Sequence, residues 1–321
     1  IKASLCVEGN RIWEEFCAQH SLPFFKVGKL MVAQNESEEN DLEVYLRRSS
    51  EYGVPGVRRI SADEVREFEP NVSARSALYV PTSGIFEPTS LLRQVYFLAS
   101  NNGVQFMPST QVTQLRFKDG RAIMEISYRD GVTEWIAPRI IINSAGVQAV
   151  NLARMIDGAF PLKAALIRGD SMKFYRTSRA ELHLNGMNIY PTPQTVQTPF
   201  GPQHTVGVHI TPMFDYHDRN FVIGNTFMVG PKLIPVIRED DFETPTPNPE
   251  VFVQNTRFFP QLRAEDLSPN FSGVQARLDG YPDFYIGRDR ICSNVIHLCG
   301  IDSPGFTSAP AIASYIAKHF F

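Results

Sequence analysis

Residues 295–320 read VIHLCGIDSPGFTSAPAIASYIAKHF, and this stretch decides the fold. The apolar run 295–299 is typical of a buried strand, Gly300 interrupts it, and the apolar periodicity from Thr307 to Phe320 predicts a helix. The first N–H groups of a helix have no intrahelical partner, and the helix dipole adds partial positive charge there. The loop 300–307 can therefore hold an anionic or electron-rich ligand, although these residues alone fit an ordinary strand-to-helix connection equally well.

A second strand-to-helix junction lies in the middle of the chain. Residues 139–146, RIIINSAG, predict a buried strand that leads through small residues into a helix from about Val147 to Asp157. Upstream, the turn signals KDGR at 118–121 and RDG at 129–131 separate β runs. They predict a β-meander of which the run 139–146 is the last strand.

The remaining patterns predict further helices and a second sheet. Capping residues and apolar periodicity predict helices over the first residues, after Asn35, after Ser61, from Pro88 and from about Pro249. Residues 162–227 contain strand-like runs interrupted by prolines, which favours a mostly antiparallel sheet. Residues 239–249 are acidic and proline-rich and predict a surface connection.

These elements predict a mixed α/β (α+β) fold in two domains. The α/β domain is assembled from separated segments, and an antiparallel-sheet domain is inserted between them. We assign residues 1–25, 103–160 and 271–321 to the α/β domain and residues 26–102 and 161–270 to the sheet domain.

Composition excludes several classes of protein. A chain of 321 residues with 43% hydrophobic residues can bury a large core, and its net charge of -3 predicts no nucleic-acid partner. No apolar run approaches the roughly 18 to 20 residues that span a bilayer, whereas peripheral association with a membrane or a larger complex stays open. The four cysteines form no C-x-x-C pair or Cys/His cluster, so we expect buried thiols and no metal site.

Three clusters of polar residues remain as candidates, because no glycine-rich nucleotide loop, zinc-protease motif or nucleophile elbow occurs in these residues. Arg168 lies in a β run next to Asp170; an inward Arg would clamp a carboxylate, and a surface ion pair is the alternative. His209 alternates with Gly207 and Thr211 on one strand face, near the Tyr190 segment. Gln275 and Arg277 share a face of a strand that leads towards the C-terminal strand.

The order and spacing of several short motifs resembles the FAD-dependent oxidoreductases of the D-amino-acid-oxidase superfamily, closest to its L-2-hydroxyglutarate dehydrogenase branch. The resemblance runs along essentially the whole chain and rests on the following segments: KVGKL (26–30), GI (84–85), NSAG (143–146), RGD (168–170), YPTP (190–193), GVHIT (207–211), GP (230–231), DF (283–284) and SPGFT (303–307).

The resemblance implies a Rossmann-like FAD domain, built from discontinuous segments, and an antiparallel substrate domain that covers the flavin. The positions that match family FAD contacts are Val112, Ser144, Ala145, Gly146, Gly300, Ser303, Pro304, Gly305, Phe306 and Thr307. It implies hydride transfer from a small 2-hydroxy acid to FAD, with a base that removes the hydroxyl proton. We expect His209 and Arg168 in catalytic roles and Tyr190, Gln275 and Arg277 against the carboxylate substrate.

The chain departs from the family pattern at three places. The family's first strand, glycine-rich turn and first helix would lie just before Ile1, so we expect that natural sequence continues upstream and that the first βαβ segment is absent from these residues. Val147 stands where the family has an aromatic residue, and Gln275 stands where it has an arginine. Two alternatives therefore stay open: a non-catalytic scaffold or complex subunit, and an amino-acid or amine oxidase of the same superfamily.

The resemblance leaves the electron acceptor and the compartment open. The acceptor is a quinone, oxygen or a protein, and the expected location is the cytoplasm or the mitochondrial matrix.

Overall fold

A computed structural model describes residues 1–199, 201–242 and 247–321. Its helices are α1 (Lys2–Gln19), α2 (Glu36–Glu51), α3 (Ala62–Phe68), α4 (Pro88–Asn101), α5 (Ala149–Ile156), α6 (Pro249–Asn255) and α7 (Gly305–Phe320). Its strands are β1 (Phe24–Phe25), β2 (Lys29–Ala33), β3 (Arg58–Ser61), β4 (Ser76–Val80), β5 (Ile85–Phe86), β6 (Gln111–Lys118), β7 (Arg121–Ser127), β8 (Thr133–Ile136), β9 (Ile141–Asn143), β10 (Ala164–Tyr175), β11 (Asn188–Pro191), β12 (Gln194–Thr198), β13 (Gly201–Thr205), β14 (His209–His217), β15 (Asn220–Pro235), β16 (Ser268–Leu278), β17 (Tyr285–Arg288) and β18 (Val295–Cys299).

The C-terminal strand, loop and helix have the predicted order. Strand β18 is the middle strand of a three-stranded sheet, parallel to β9 and antiparallel to β17, and all five of its residues are buried. Helix α7 follows it and packs against α1 through an apolar cluster that includes Leu5, Leu298 and Ile312. Together with the eight-stranded sheet, this arrangement confirms the mixed α/β class.

The largest sheet among the described residues has eight strands, in the order β16-β10-β15-β14-β11-β2-β4-β3. Its neighbours are antiparallel except for β11 and β2, which run parallel. Its main core contains large, fully buried aromatic rings from strands and from the segment around α6, among them Phe174, Phe227, Phe252, Phe258 and Phe259. Such rings carry much of the apolar area that stabilises a sheet face.

The predicted meander is correct in three strands and wrong in the fourth. Strands β6, β7 and β8 form an antiparallel three-stranded sheet. Strand β9, which we expected to follow them in the same sheet, pairs instead in parallel with β18. A run of isoleucines shows that a strand is apolar but does not show which strand it pairs with, and Ile142 is 44% exposed.

The sheet also bears on the proposed domain limits. Strand β16 pairs with β10 from Ala164–Leu278 to Lys173–Ser268, so a boundary at residue 271 falls inside one strand of the large sheet. Helix α4, placed by sequence with the sheet domain, packs through Leu91 on Trp13 and Cys17 of α1. We therefore propose that residues 271–278 belong with the sheet domain and that α4 belongs with α1.

Further predictions concern the acidic connection, membrane-spanning helices, metal sites and the cysteines. Residues 243–246 of the acidic connection lie outside the described residues. Within the described part, no helix has the length and apolar character that crossing a membrane requires. The same part of the chain contains no group of three potential metal ligands, and its cysteines are free thiols.

Candidate active site

A cleft of about 1490 Å³ opens between the α7 junction and the large sheet. One side, which we call the floor, consists of residues 300–307 together with Gln275 and Arg277 of β16. The opposite side, which we call the wall, consists of Lys29 of β2, Tyr190 of β11 and His209 of β14. Residues of α1, the segments 51–55 and 82–84, and Gly146 also line the cleft.

The floor brings backbone close to the cleft because two glycines permit it. Gly300 has φ +71°, and a Cβ there would lie 2.6 Å from Leu278 Cδ1. A Cβ at Gly9 of α1 would collide with the carbonyl of Thr307, so α1 also packs directly on the first turn of α7. That first turn has no side-chain cap, and its residues 305–307 line the cleft. The N–H of Gly305 already donates to the carbonyl of Asp302, so the N–H groups of Phe306 and Thr307 are the ones that an electron-rich ligand would reach.

A buried polar network fixes the two strand ends beneath the floor. Asn143 donates to His297 Nδ1 at 3.0 Å and to the carbonyl of Ala149 at 2.8 Å. His297 Nε2 in turn donates to Asp289 at 2.9 Å. Burial would raise the pKa of Asp289, but hydrogen bonds from His297 and from backbone N–H groups lower it below its usual value. This network aligns β9 with β18 and thereby places Gly146 at the cleft.

The cations of the floor are neutralised within the protein. Arg277 Nε lies 3.1 Å from Asp302 Oδ2 and 2.9 Å from Gln275 Oε1, which places Gln275 and Arg277 on one face as the sequence predicts. Lys2 also binds Asp302. Burial lowers the pKa of Arg277, and the Asp302 charge opposes this effect. The carboxylate of Asp302 is thus shared by two cations.

The wall holds a neutral histidine. His209 is 8% exposed, and its Nδ1–H donates to the carbonyl of Gly207 at 3.0 Å. Its ring stacks on that of Tyr190 with a centroid distance of 3.9 Å. Burial, with the nearby charge of Lys29, lowers the pKa of His209 to about 4, although the bond to Gly207 acts in the opposite direction. Because Nδ1 carries the proton of the neutral ring, Nε2 presents a lone pair and can accept a proton.

Lys29 is a cleft residue that sequence reasoning quoted within KVGKL but did not choose as a site residue. Its Nζ lies 5.1 Å from the ring centroid of Tyr190, on a strand whose next residue, Leu30, is fully buried. Burial lowers the pKa of Lys29. The period-two alternation of β2 could have indicated that Lys29 and Leu30 face opposite sides of the sheet.

The structure brings together most of the predicted site residues. Ten of them line the cleft, namely Gly146, Tyr190, His209, Gln275, Arg277, Ser303, Pro304, Gly305, Phe306 and Thr307. Gly300, the first residue of the floor segment, is buried, whereas Ser144 and Ala145 are exposed next to the cleft. Val112 lies on β6 and packs in a separate apolar cluster with Ile141 and Cys292. The roles of these residues in cofactor binding stay predictions.

Arg168 does not reach the cleft. It is 6% exposed and makes ion pairs with Asp170 at 2.9 Å and with Asp241 at 2.6 Å. Two carboxylates therefore occupy its guanidinium group, and Ser272 also donates to Asp170. This buried network stabilises the large sheet, and we no longer expect Arg168 to contact the substrate. Arg168 is therefore neither the carboxylate clamp nor the surface ion pair that the sequence allowed.

The cleft fits the flavin that the motifs imply. The floor offers an uncapped helix start whose residues 305–307 line the cleft, and this feature suits a planar, electron-rich ring. Residues 303–307 and Gly146 would hold such a ring, and the positive end of α7 would favour negative charge that develops on it.

Comparison with known proteins places these observations in a family. The family described as "FAD dependent oxidoreductase" matches residues 1–319. A mitochondrial L-2-hydroxyglutarate dehydrogenase from Arabidopsis thaliana is 25% identical over 365 residues, which cover 100% of this chain and 71% of that protein. A glycerol 3-phosphate dehydrogenase from Caloramator mitchellensis is 27% identical and covers 98% of this chain and 61% of its own length.

Solved structures share the fold. The FAD-bound L-alpha-glycerophosphate oxidase from Mycoplasma pneumoniae superposes with a TM-score of 0.80 at 23% identity, over 99% of this chain and 79% of that chain. A glycine oxidase from Bacillus cereus superposes with a TM-score of 0.73 at 16% identity, over 98% and 81% of the two chains.

Proposed function

The chain belongs to the FAD-dependent oxidoreductases, and from this premise we propose that it oxidises a small 2-hydroxy acid similar to L-2-hydroxyglutarate. The observation that carries the proposal is the neutral His209 in the cleft, with Nδ1–H bound to the Gly207 carbonyl. L-2-Hydroxyglutarate dehydrogenases from several organisms among the similar proteins support the same substrate class.

The reaction divides between the two sides of the cleft. FAD, when bound, supplies a two-electron acceptor for the hydride on the carbon that bears the hydroxyl group. His209 Nε2 takes the hydroxyl proton, so the C–H and O–H bonds break and a carbonyl forms. Gly207 holds Nδ1–H throughout and so fixes which nitrogen accepts the proton. A histidine with a pKa of about 4 is already deprotonated at neutral pH.

A second candidate substrate carries phosphate in place of a carboxylate. The glycerol 3-phosphate dehydrogenase at 27% identity favours it, and its chemistry at the hydroxyl carbon is the same. An amino-acid or amine oxidase would use the same scaffold with nitrogen in place of the hydroxyl oxygen, as the glycine oxidase fold shows for the scaffold alone.

Two measurements on the full-length protein test the proposal. We expect a flavin absorbance band after purification or after addition of FAD, and reduction of an artificial electron acceptor when L-2-hydroxyglutarate is added. Turnover of sn-glycerol 3-phosphate or of an amino acid, with no turnover of 2-hydroxy acids, would replace the proposed substrate. Absence of flavin binding would indicate the non-catalytic scaffold instead.

A further inference from the structure

Lys29 differs from the other cations that line the cleft. Three other cations line it, and each has a carboxylate partner: Arg11 lies 2.6 Å from Glu15, Lys26 lies 2.5 Å from Glu14, and Arg277 lies 3.1 Å from Asp302. Among residues 1–199, 201–242 and 247–321, no carboxylate lies within ion-pair distance of Lys29 Nζ.

The position of Lys29 makes this lack of a counter-ion costly. An ammonium group that is partly withdrawn from water loses hydration, and only a nearby negative charge or good acceptors compensate for that loss. The described residues provide the face of the Tyr190 ring at 5.1 Å and the thiol of Cys6, which opposes the effect of burial on the pKa of Lys29 but is not a carboxylate. Burial accordingly lowers the pKa of Lys29. A small anion in the cleft would supply the missing charge.

Lys29 also lies where such an anion would belong to a reacting molecule. Its Nζ and the His209 ring are both neighbours of the Tyr190 ring, and the Lys29 charge contributes to the lowered pKa of His209. A molecule whose anionic group binds Lys29 would therefore have its neighbouring carbons near the proton acceptor. On the floor, Asp302 already neutralises Arg277, which makes that arginine a weaker partner for an anion.

We propose that Lys29 is the anion-binding residue of the cleft and holds the carboxylate or phosphate group of the substrate beside His209. This inference rests on the proposed function and deepens it, because it makes a negative charge on the substrate a requirement. A carboxylate and a phosphate share the chemistry that Lys29 recognises, since an ammonium group binds either one as a point charge.

Binding of non-reacting anions to the flavin-loaded, full-length protein tests the proposal. Glutarate stands for the carboxylate source and inorganic phosphate for the phosphate source, each titrated by calorimetry. We expect Lys29→Gln to lower the affinity for the anion that wild type prefers by about 10- to 100-fold. We expect Lys29→Arg to keep most of the wild-type affinity. Lys118→Gln removes the same charge from an exposed side chain at the end of β6, outside the cleft lining, and is expected to change the affinity less than twofold.

The controls separate this proposal from a folding defect and from the proposed function. Unchanged flavin absorbance in Lys29→Gln shows that the cleft is intact, and Lys29→Met provides a second neutral variant. Unchanged anion affinity in both neutral variants, or no binding of either anion by wild type, would overturn the assignment. If wild type binds the anion through Lys29 but oxidises no 2-hydroxy acid, the assignment stands and the proposed substrate fails. If wild type oxidises a 2-hydroxy acid and Lys29→Gln keeps the wild-type KM for it, the proposed substrate stands and the assignment of Lys29 fails.

Discussion

The two sides of the cleft are built differently. The floor comes largely from one continuous segment, residues 300–307, presents backbone groups, and pairs Arg277 and Lys2 with Asp302. The wall brings together single side chains from three strands that lie far apart in sequence, Lys29, Tyr190 and His209. Within the part of the chain that the structure describes, no carboxylate pairs with Lys29. This difference is the basis of the division that we propose, in which the floor holds the cofactor and the wall selects and activates the substrate.

The largest test of this division is removal of the proton acceptor from the wall. We expect His209→Gln to lower kcat by about 10²- to 10⁴-fold, because a glutamine amide cannot take the hydroxyl proton. Flavin absorbance should stay unchanged, since the floor is not altered. Steady-state turnover of L-2-hydroxyglutarate with an artificial acceptor measures the effect.

His217→Gln is the matched control for that experiment. His217 ends the same strand, β14, and its side chain is 76% exposed. We expect wild-type kcat in this variant. An equal loss of kcat in both variants, or loss of flavin from His209→Gln, would contradict the assignment of chemistry to the wall.

The floor should respond in the opposite way. Gly300→Ala introduces a Cβ 2.6 Å from Leu278 at φ +71°, and we expect it to lower the free energy of unfolding by about 2 to 4 kcal/mol and to reduce flavin occupancy. Chemical denaturation and the ratio of flavin to protein absorbance measure the two effects. Gly273→Ala is the control, because a Cβ there meets nothing within 4 Å. Full flavin occupancy and wild-type stability in Gly300→Ala would show that the floor tolerates the added group.

The same contrast explains what the sequence could reveal. The floor was predictable because its strand, glycine and helix start are consecutive, so periodicity and turn chemistry describe it fully. The wall was predictable only in part: His209 and Tyr190 were chosen, but Lys29 was not. Nothing local shows that Glu14 pairs with Lys26 while no carboxylate of the described residues pairs with Lys29.

Pairing over long distances caused the errors. Strand β9 was expected in the meander but pairs with β18, which follows it by about 150 residues in sequence, and Arg168 was expected at the substrate. Asp241, which neutralises Arg168, lies 73 residues further along the chain. No sequence period reports a contact of that kind.

The buried histidine of the wall also predicts a pH dependence of stability. Its pKa is about 4 in the folded protein and 6.5 in the unfolded chain. Between these values the unfolded chain binds a proton that the folded protein does not, so the free energy of unfolding falls as the pH decreases from 6.5 to 4, by about 1 to 3 kcal/mol. Urea denaturation across this range should show a smaller decrease for His209→Gln than for wild type. Equal decreases in the two proteins would mean that His209 titrates normally in the fold.

The variant with the smallest expected effect tests whether the balance of charge distinguishes the floor of the cleft from its wall. Asp302→Asn removes the negative charge that Arg277 and Lys2 share, so the floor becomes positive as the wall already is. We expect glutarate to bind about 3- to 10-fold more tightly, with a steeper dependence on salt, because a second cation then attracts the anion. Asp240→Asn makes the same change of charge in an exposed pair with Arg238 and should leave the affinity unchanged. Weaker glutarate binding in Asp302→Asn would instead mean that Asp302 positions Arg277 as a substrate contact, and the floor would share the selection of substrate with the wall.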